Sequence, residues 1–275
     1  MSALIRVGAV RYLNARPLYH RLEEFEPRAR LVLDLPSKLA DELAQGDLDV
    51  ALIPSVEYLR GASRGYTIIP DLAIAARGPV RSVKLFSRVP FEQIERVALD
   101  AGSRTSQALS LVWLDAAHGV RPRTIEELPL GVPVEESTAD AVLLIGDRAM
   151  RDPDGPFHAV VDLAEAWVGM TGLPFVFAFW VARDGADLGD LPRTLLRCRA
   201  EGLADASEIA STHGRRLGLD PASCLDYLTR VLSYHLGEAE LAGLRLFAQR
   251  AAALGLAPEG VDLVFHRHPD LAARR

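Results

Sequence analysis

The chain has 275 residues, of which 49% are hydrophobic and 25% are charged, and its formal net charge is −6 at pH 7. These values describe a globular chain that buries one large or two modest cores, and they exclude disordered and collagen-like classes. The acidic balance gives no overall attraction to nucleic acid or to anionic membranes, so we expect neither as a partner.

The cysteines and the N-terminal sequence indicate the compartment. Cys198 and Cys224 lie in helix-like stretches without CxxC spacing, so we expect buried thiols rather than a disulfide or a zinc site. The first residues lack the basic segment, apolar run and cleavage site of a secretory signal. The longest apolar stretches, at 141–145 and 174–182, are shorter than the roughly 20 residues of a membrane-spanning helix. We therefore expect a cytoplasmic protein that does not span a membrane.

The first 60 residues alternate between strand and helix patterns. Short apolar runs predict the strands, and Pro17, Pro36 and Gly46 mark helix starts and a helix end. Such alternation is typical of α/β folds. The predicted strands are residues 4–10, 31–35 and 49–53, and the predicted helices run from 17 to 22, from 36 to a stop at 46, and onward from 56.

A second strand–helix series follows an extended run at 77–86, which we interpret as a crossing to another lobe. Phe175, Phe177 and Phe179 alternate at strand period in a later apolar run, which predicts core positions for all three. We predict that this run carries the chain back to the first lobe, and we call it the return crossing. The remaining elements predicted in this part are strands at 97–100 and 141–145, a helix at 103–118 ended by Gly119, the return run at 174–182 and helices through 191–254.

The periodicity leaves two architectures open. A second lobe that the chain enters once and leaves once would place a binding cleft between two lobes. A single doubly wound sheet would produce the same alternation of strands and helices.

Four segments decide between these architectures by resemblance: GAVRYLNARPL at 8–18, DVALIPSVEY at 49–58, GPVRSV at 78–83 and LDAGSRTS at 99–106. In this order they resemble the chorismate dehydratase family of menaquinone biosynthesis, and the resemblance runs from Arg6 through Trp180. It implies an α/β fold of the type 2 periplasmic-binding-protein class. It also implies conversion of chorismate to 3-[(1-carboxyvinyl)oxy]benzoate and water in the futalosine branch. Arg11 departs from the family pattern, where a small polar residue is expected before Tyr-Leu-Asn.

On this fold, we expect lobe 1 to comprise residues 1–86 and 180–275 and lobe 2 to comprise residues 87–179, with the ligand cleft between them. The implied ligand is a small dicarboxylate, chorismate, and no cofactor is implied. The sequence predicts no particular oligomeric state.

The resemblance implies that Asn14 and Ser82 are the catalytic residues. Asn14 follows the first strand at its carboxyl end, where an amide can donate to and accept from a substrate, although capping of the next helix is an alternative. Ser82 rests on the resemblance alone, and its alternative is a strand serine bonded to a neighbour. No histidine close in sequence suggests a Ser-His nucleophile.

Four consecutive residues between a strand and a helix predict an anion site. Backbone N–H groups and three hydroxyls at a helix N-terminus favour a carboxylate. Simple N-capping by Ser103, and an Arg104 that contacts solvent or a protein carboxylate, are the alternatives. The four predicted contacts are Ser103, Arg104, Thr105 and Ser106.

Five further residues are predicted to contact the substrate. Three follow other strands, where loops converge on a cleft, with helix capping as an equal alternative. Two belong to a turn before the return crossing that we expect to close over the ligand. These residues are Ser55, Gly146, Asp147, Thr171 and Gly172.

Acid–base and metal-binding groups are scarce. The seven histidines show no HExxH pattern, and only His266 and His268 stand close together, in a predicted tail, so we expect no metal site. No phosphate-binding glycine loop is present either. The predicted base is the substrate's own enolpyruvyl carboxylate, with Glu57 as the alternative on the protein.

Two other classes of function use the same fold. A solute-binding protein would carry an export signal, and a regulator would carry a helix-turn-helix module, whereas this sequence starts at the first strand. The sister dihydroxynaphthoate synthase of the pathway is a closer alternative, but residues 12–14 and 103–106 fit the dehydratase better.

Overall fold

The computed structural model describes residues 4–151 and 153–267 and contains two β-sheets flanked by helices. The strands are β1 Ile5–Val10, β2 Ala29–Asp34, β3 Val50–Pro54, β4 Thr67–Ala76, β5 Val83–Ser87, β6 Arg96–Asp100, β7 Thr124–Leu128, β8 Ala141–Ile145, β9 Ala159–Asp162, β10 Phe175–Ala182 and β11 Leu232–Ser233. The helices are α1 Leu22–Phe25, α2 Pro36–Gln45, α3 Ser55–Arg60, α4 Arg104–His118, α5 Leu163–Thr171, α6 Leu191–Ala204, α7 Ala206–Leu217, α8 Pro221–Asp226 and α9 Glu238–Ala253.

The first sheet has the strand order β11-β4-β10-β3-β1-β2. β1 lies parallel to β2 and β3, whereas β10 runs antiparallel to β3 and β4. α2 packs on β1 and β3, and α9 packs on β10. Because both faces of this sheet are covered, β3 and β10 are buried along their whole length and their sequences are continuous apolar runs.

The second sheet has the order β7-β6-β8-β5-β9. β6 pairs in parallel with β7 and β8, and β5 pairs antiparallel with β8 and β9. Successive side chains of β8 point to opposite faces, so Leu143 joins the main core while Val142 and Leu144 join a smaller cluster around Phe86. Two separate sheets confirm the two-lobe α/β architecture that periodicity left open.

The chain crosses between the sheets at other points than predicted. β5 pairs entirely within the second sheet and β10 entirely within the first, so the predicted boundaries after residues 86 and 179 cut through strands. β10 is thus a central strand of the first sheet, not the return crossing. We propose that the crossings are residues 77–82 and 172–174.

The predicted helix caps illustrate where local chemistry determines structure. α2 ends at Gly46 with φ 80°, and α4 begins after Ser103 and ends at Gly119 with φ 66°, which confirms both helices. A single helix at 17–22 is wrong, because the chain forms a 3₁₀ segment, Leu13–Tyr19, and left-handed Arg21 then separates it from α1.

The C-terminal part is helical with one interruption. A π-helical turn, Tyr227–Val231, and the short strand β11 stand between α8 and α9, and β11 extends the first sheet beside β4. Cys198 and Cys224 are fully buried free thiols, as predicted. Within residues 4–151 and 153–267, no helix is both long and apolar enough to cross a membrane.

Candidate functional site

A cavity of about 40 Å³ lies between the two sheets, at the carboxyl ends of β1, β3, β6 and β8. This edge is where open α/β sheets bind ligands. A volume of this size holds only a few water molecules. The described residues that line it are Val10, Tyr12, Asn14, Pro36, Pro54, Ile74, Val80, Ser82, Val83, Ser103, Ser106, Ile145, Gly146, Phe177 and Ala178.

Asn14 reaches the cavity because the 3₁₀ segment Leu13–Tyr19 starts directly after β1. Its amide oxygen Oδ1 is buried and accepts no hydrogen bond from the described residues. An unpaired buried acceptor costs about 1–3 kcal/mol, which a donor on a ligand would offset. The geometry therefore favours ligand binding by Asn14 over the alternative of helix capping.

Ser82 lies on the first crossing segment and is buried in the cavity wall. Its Oγ accepts a hydrogen bond of 2.8 Å from the Tyr227 hydroxyl, and its carbonyl accepts one of 2.8 Å from the Gly146 N–H. The structure thus brings Asn14 and Ser82, the two predicted catalytic residues, to the same cavity from lobe 1 and from the first crossing segment.

The predicted anion site divides between two faces of α4. Ser103 and Ser106 are three residues apart, so they share a face, line the cavity and place their hydroxyl oxygens 3.0 Å from each other. Ser103 also caps the helix by accepting from the Ser106 N–H. Capping and exposure to the cavity therefore coexist at Ser103.

Arg104 and Thr105 occupy the other face of α4, and the structure places both outside the cavity lining. Arg104 donates to both carboxylate oxygens of Asp41 at 2.8 Å and to Glu57 at 3.0 Å. Thr105 Oγ1 accepts from the Val56 N–H at 3.1 Å. Both residues fasten the N-terminal end of α4 to lobe 1.

Ser55 is likewise outside the cavity lining. It is fully buried, donates to the Val176 carbonyl at 2.8 Å and lies 3.3 Å from Thr105 Oγ1. A β-bulge between Val176 and Ala178 accompanies this contact. In this structure Ser55 therefore joins α3, β10 and α4.

Gly146 lines the cavity, whereas Asp147 ties the lobes together. Gly146 has φ 67°, a left-handed conformation that suits glycine. Asp147 Oδ1 accepts from the Leu13 N–H of lobe 1 at 3.1 Å, and burial raises the pKa of this carboxyl to about 6. Asp147 is thus placed outside the cavity lining, in a hydrogen bond between the lobes.

Asp147→Asn is expected to stabilise the protein at about pH 8. A folded-state pKa near 6, above the ordinary 3.8, means that stability present below about pH 4 is lost as the pH rises through 6. Asparagine imitates the neutral acid and keeps the acceptor for Leu13, so the gain at high pH is on the order of 2 kcal/mol. Thermal unfolding between about pH 4 and 8 measures it. A variant with a lower Tm than the wild type at high pH would contradict this account.

Thr171 and Gly172 end a helix instead of closing over the cavity. Thr171 Oγ1 donates to the Trp167 carbonyl at 2.8 Å and accepts from the Leu173 N–H at 3.1 Å. Gly172, with φ 69°, caps α5. The structure places both residues at the end of α5 and outside the cavity lining.

Glu57, the alternative protein base, lies outside the cavity lining as well. Its carboxylate accepts from Arg60 at 2.8 Å and from Arg104 at 3.0 Å. His266 lies beside Thr67, and His268 falls outside the described residues. Over the described ranges, no three His, Cys, Asp or Glu side chains are grouped as metal ligands.

Tyr12 and Phe177 line the cavity but were not predicted to do so. The Tyr12 hydroxyl is so close to Gly102 that a Cβ there would lie 2.8 Å from it, and a Cβ at Gly146 would lie 3.2 Å from the Tyr12 ring. Phe177 belongs to the main core, as predicted, and also borders the cavity beside a β-bulge. The tyrosine within the first family segment and the glycines after two strands were the available signals for this packing.

Asp100 organises both loops of lobe 2 at the cavity. This fully buried carboxylate accepts from the N–H groups of Gly102 at 2.9 Å and Ile145 at 3.1 Å, and from the Arg148 guanidinium at 2.6 Å. Charge-assisted hydrogen bonds of this kind fix loop geometry. Asp100 therefore holds Ser103 and Gly146 in place without touching the cavity.

The comparisons with known proteins agree with this geometry. A sequence model of a family described as menaquinone biosynthesis matches residues 5–253. The chain belongs to this family. A chorismate dehydratase of Thermus thermophilus is 37% identical over 270 residues, which cover 91% of this chain and 95% of that protein. A chorismate dehydratase of Campylobacter jejuni is 26% identical over 91% of this chain and 99% of that protein. The predicted family resemblance is confirmed.

Solved structures similar to this menaquinone-biosynthesis family member establish its fold class. Protein AF1704 from Archaeoglobus fulgidus has a TM-score of 0.71 at 19% identity, covering 92% of this chain and 98% of that one. The alkanesulfonate-binding protein SsuA from Xanthomonas axonopodis, bound to MOPS, has a TM-score of 0.67 at 18% identity, covering 95% and 96%. These likenesses confirm the predicted periplasmic-binding-protein-like fold.

Proposed function

We propose that this protein is a chorismate dehydratase, a carbon–oxygen lyase that converts chorismate to 3-[(1-carboxyvinyl)oxy]benzoate and water. The supporting observation is a cleft cavity that brings together Asn14, Ser82 and the serine face of α4, in a chain 37% identical over most of its length to a chorismate dehydratase. The same family membership supports a role in menaquinone biosynthesis.

The reaction needs few functional groups on the enzyme. The C–H bond at the ether-bearing ring carbon breaks, its electron pair forms the new ring double bond, and the hydroxyl on the neighbouring carbon leaves with the C–O pair. The proton and the hydroxide together form the water. Since the product ring is aromatic, the elimination is downhill, and the enzyme has to hold the substrate and assist the departing hydroxide.

The cavity offers suitable groups for both tasks. Asn14 and Ser82 would hold the ring substituents, because both are polar groups of the wall near one another. The N-terminal end of α4 would hold a carboxylate through Ser103, Ser106 and the first backbone N–H groups. The N-terminus of a helix of 15 residues presents unpaired donors and a partial positive charge.

The substrate's enolpyruvyl carboxylate would take the proton. No aspartate, glutamate, histidine or lysine of the described chain lines the cavity, and burial raises the pKa of Tyr12, the titratable side chain that does line it. The enolpyruvyl group that carries this carboxylate is joined through its ether oxygen to the carbon that loses the proton. The carboxylate is therefore close enough to act as the base. Glu57, held by two arginines, is poorly placed for this role.

The direct test is to incubate the purified protein with chorismate and to identify the product by chromatography and mass spectrometry. We expect chorismate to lose one water and to give the enolpyruvyl benzoate. Chorismate that binds tightly yet is recovered intact would favour a non-enzymatic binding protein instead.

Ser106→Ala is expected to raise KM for chorismate several-fold while changing kcat less, because its hydroxyl would bind the carboxylate equally in the ground and transition states. Thr105→Val is the matched control on the opposite face of α4. It should lower Tm by removing the acceptor of the Val56 N–H and should leave KM unchanged. Steady-state kinetics and thermal unfolding measure the two effects. An unchanged KM in Ser106→Ala would mean that this serine only stabilises the helix end.

A further inference from the structure

A buried tyrosine stands directly behind Ser82. Tyr227 begins the π-helical turn Tyr227–Val231 and is 1% exposed. Its hydroxyl donates to Ser82 Oγ at 2.8 Å. Tyr227 is not in the cavity lining, so any effect that it has on a ligand must pass through Ser82.

The hydrogen bond between Tyr227 and Ser82 runs from the interior toward the cavity. Burial raises the pKa of the Tyr227 phenol, so the phenol is protonated. Its O–H donates a hydrogen bond to Ser82 Oγ. The neighbouring Ser82 and Asn14 side chains oppose this rise in the pKa of Tyr227 without cancelling it. A serine hydroxyl has one proton and accepts with its lone pairs. Because Tyr227 fills an acceptor position of Ser82, the Ser82 proton is available to the cavity.

The backbone around Ser82 is held from both lobes. Arg81 has φ 63°, an uncommon conformation for a residue with a side chain. The Asp162 carboxylate accepts from the N–H groups of Val80 at 3.1 Å and Arg81 at 2.6 Å. The Arg81 guanidinium forms a 2.8 Å ion pair with Asp226, the residue before Tyr227. Strained residues persist where such contacts over-determine them, often at functional sites.

We propose that Tyr227 is a positioning residue for the dehydration: by donating to Ser82 Oγ, it directs the Ser82 O–H toward the hydroxyl that leaves the substrate. This inference rests on the proposed function. As the C–O bond breaks, the departing oxygen accepts the Ser82 hydrogen bond. The proton that the enolpyruvyl carboxylate took from carbon then passes to this oxygen and completes the water. Ser82 keeps its own proton, and consecutive hydrogen bonds strengthen it as a donor.

A double-mutant cycle tests this role. Tyr227→Phe keeps the ring that fills the core and removes only the hydroxyl, so we expect kcat to fall about tenfold with KM changed by less than about twofold. If Tyr227 acts through Ser82, the Ser82→Ala/Tyr227→Phe double variant should be no slower than Ser82→Ala. Tyr58→Phe is the matched control, since this buried hydroxyl bonds only to the backbone of Asp262 and Val264 and should affect Tm rather than kcat.

The possible outcomes separate the two proposals. A wild-type kcat in Tyr227→Phe, or losses that multiply in the double variant, would overturn the positioning role while the wild-type enzyme still dehydrates chorismate. A wild-type protein that leaves chorismate intact in the same assay would overturn the proposed function, and the role of Tyr227 with it. Thermal unfolding and calorimetric binding of the enolpyruvyl benzoate establish that each variant is folded.

Discussion

Replacing Asn14 or Ser82 by alanine is expected to lower the kcat of chorismate dehydration by about 10²–10³-fold, the usual effect of losing a polar group that stabilises developing charge. Both side chains line the cleft cavity, and Asn14 carries an unpaired buried amide oxygen. Without Asn14 the substrate would no longer be held in its reactive orientation. Without Ser82 the departing hydroxide would lose a hydrogen-bond donor. Steady-state kinetics of the folded variants measure both.

Thr171→Ala is the control for these substitutions. Its hydroxyl also belongs to the residues predicted from sequence, but the structure places it at the end of α5, outside the cavity lining. It should cost some thermal stability and leave kcat within about twofold, as expected for a helix-end contact. If kcat in Asn14→Ala and Ser82→Ala stayed as close to the wild type as in Thr171→Ala, the assignment of the cavity as the active site would be wrong.

A chorismate analogue whose enolpyruvyl carboxylate is replaced by a neutral amide is expected to turn over about 10²–10⁴-fold more slowly than chorismate, the range for loss of a general base. Glu57→Gln should keep kcat within about tenfold, because Glu57 pairs with Arg60 and Arg104 away from the cavity. Competition between the amide and chorismate reports whether the analogue still binds.

Two results would indicate that the general base is a group of the protein and not the substrate carboxylate. One is turnover of the amide at the rate of chorismate. The other is loss of kcat in Glu57→Gln with product affinity intact, in a variant that thermal unfolding shows to be as stable as the wild type.

The elements that sequence predicts correctly are those with local signals. α4 has a serine before it and a glycine after it, and β3 is a continuous apolar run. β4 and β7 were not predicted, for physical reasons. Pro70 and left-handed Asp71 interrupt the pattern of β4, and β7 is a largely exposed strand of polar residues whose partner β6 lies far back in the chain.

The candidate site likewise combines features with a local sequence signal and features that depend on distant contacts. The sequence places residues 103–106 at a helix N-terminus, but only the packing of α4 decides that Ser103 and Ser106 face the cavity. The partners that turn Arg104 and Thr105 away, Asp41 and Val56, are 63 and 49 positions distant. The contact of Tyr227 with Ser82 was not predicted, because the two residues are 145 positions apart.

The most direct measurement of the central claim is a crystal structure of the protein with 3-[(1-carboxyvinyl)oxy]benzoate bound. The account predicts the product between the two sheets, with one carboxylate on the hydroxyls of Ser103 and Ser106 and with Asn14 and Ser82 within hydrogen-bond distance of the ring substituents. Product bound outside this cleft, or bound within it beyond the reach of both Asn14 and Ser82, would contradict the account.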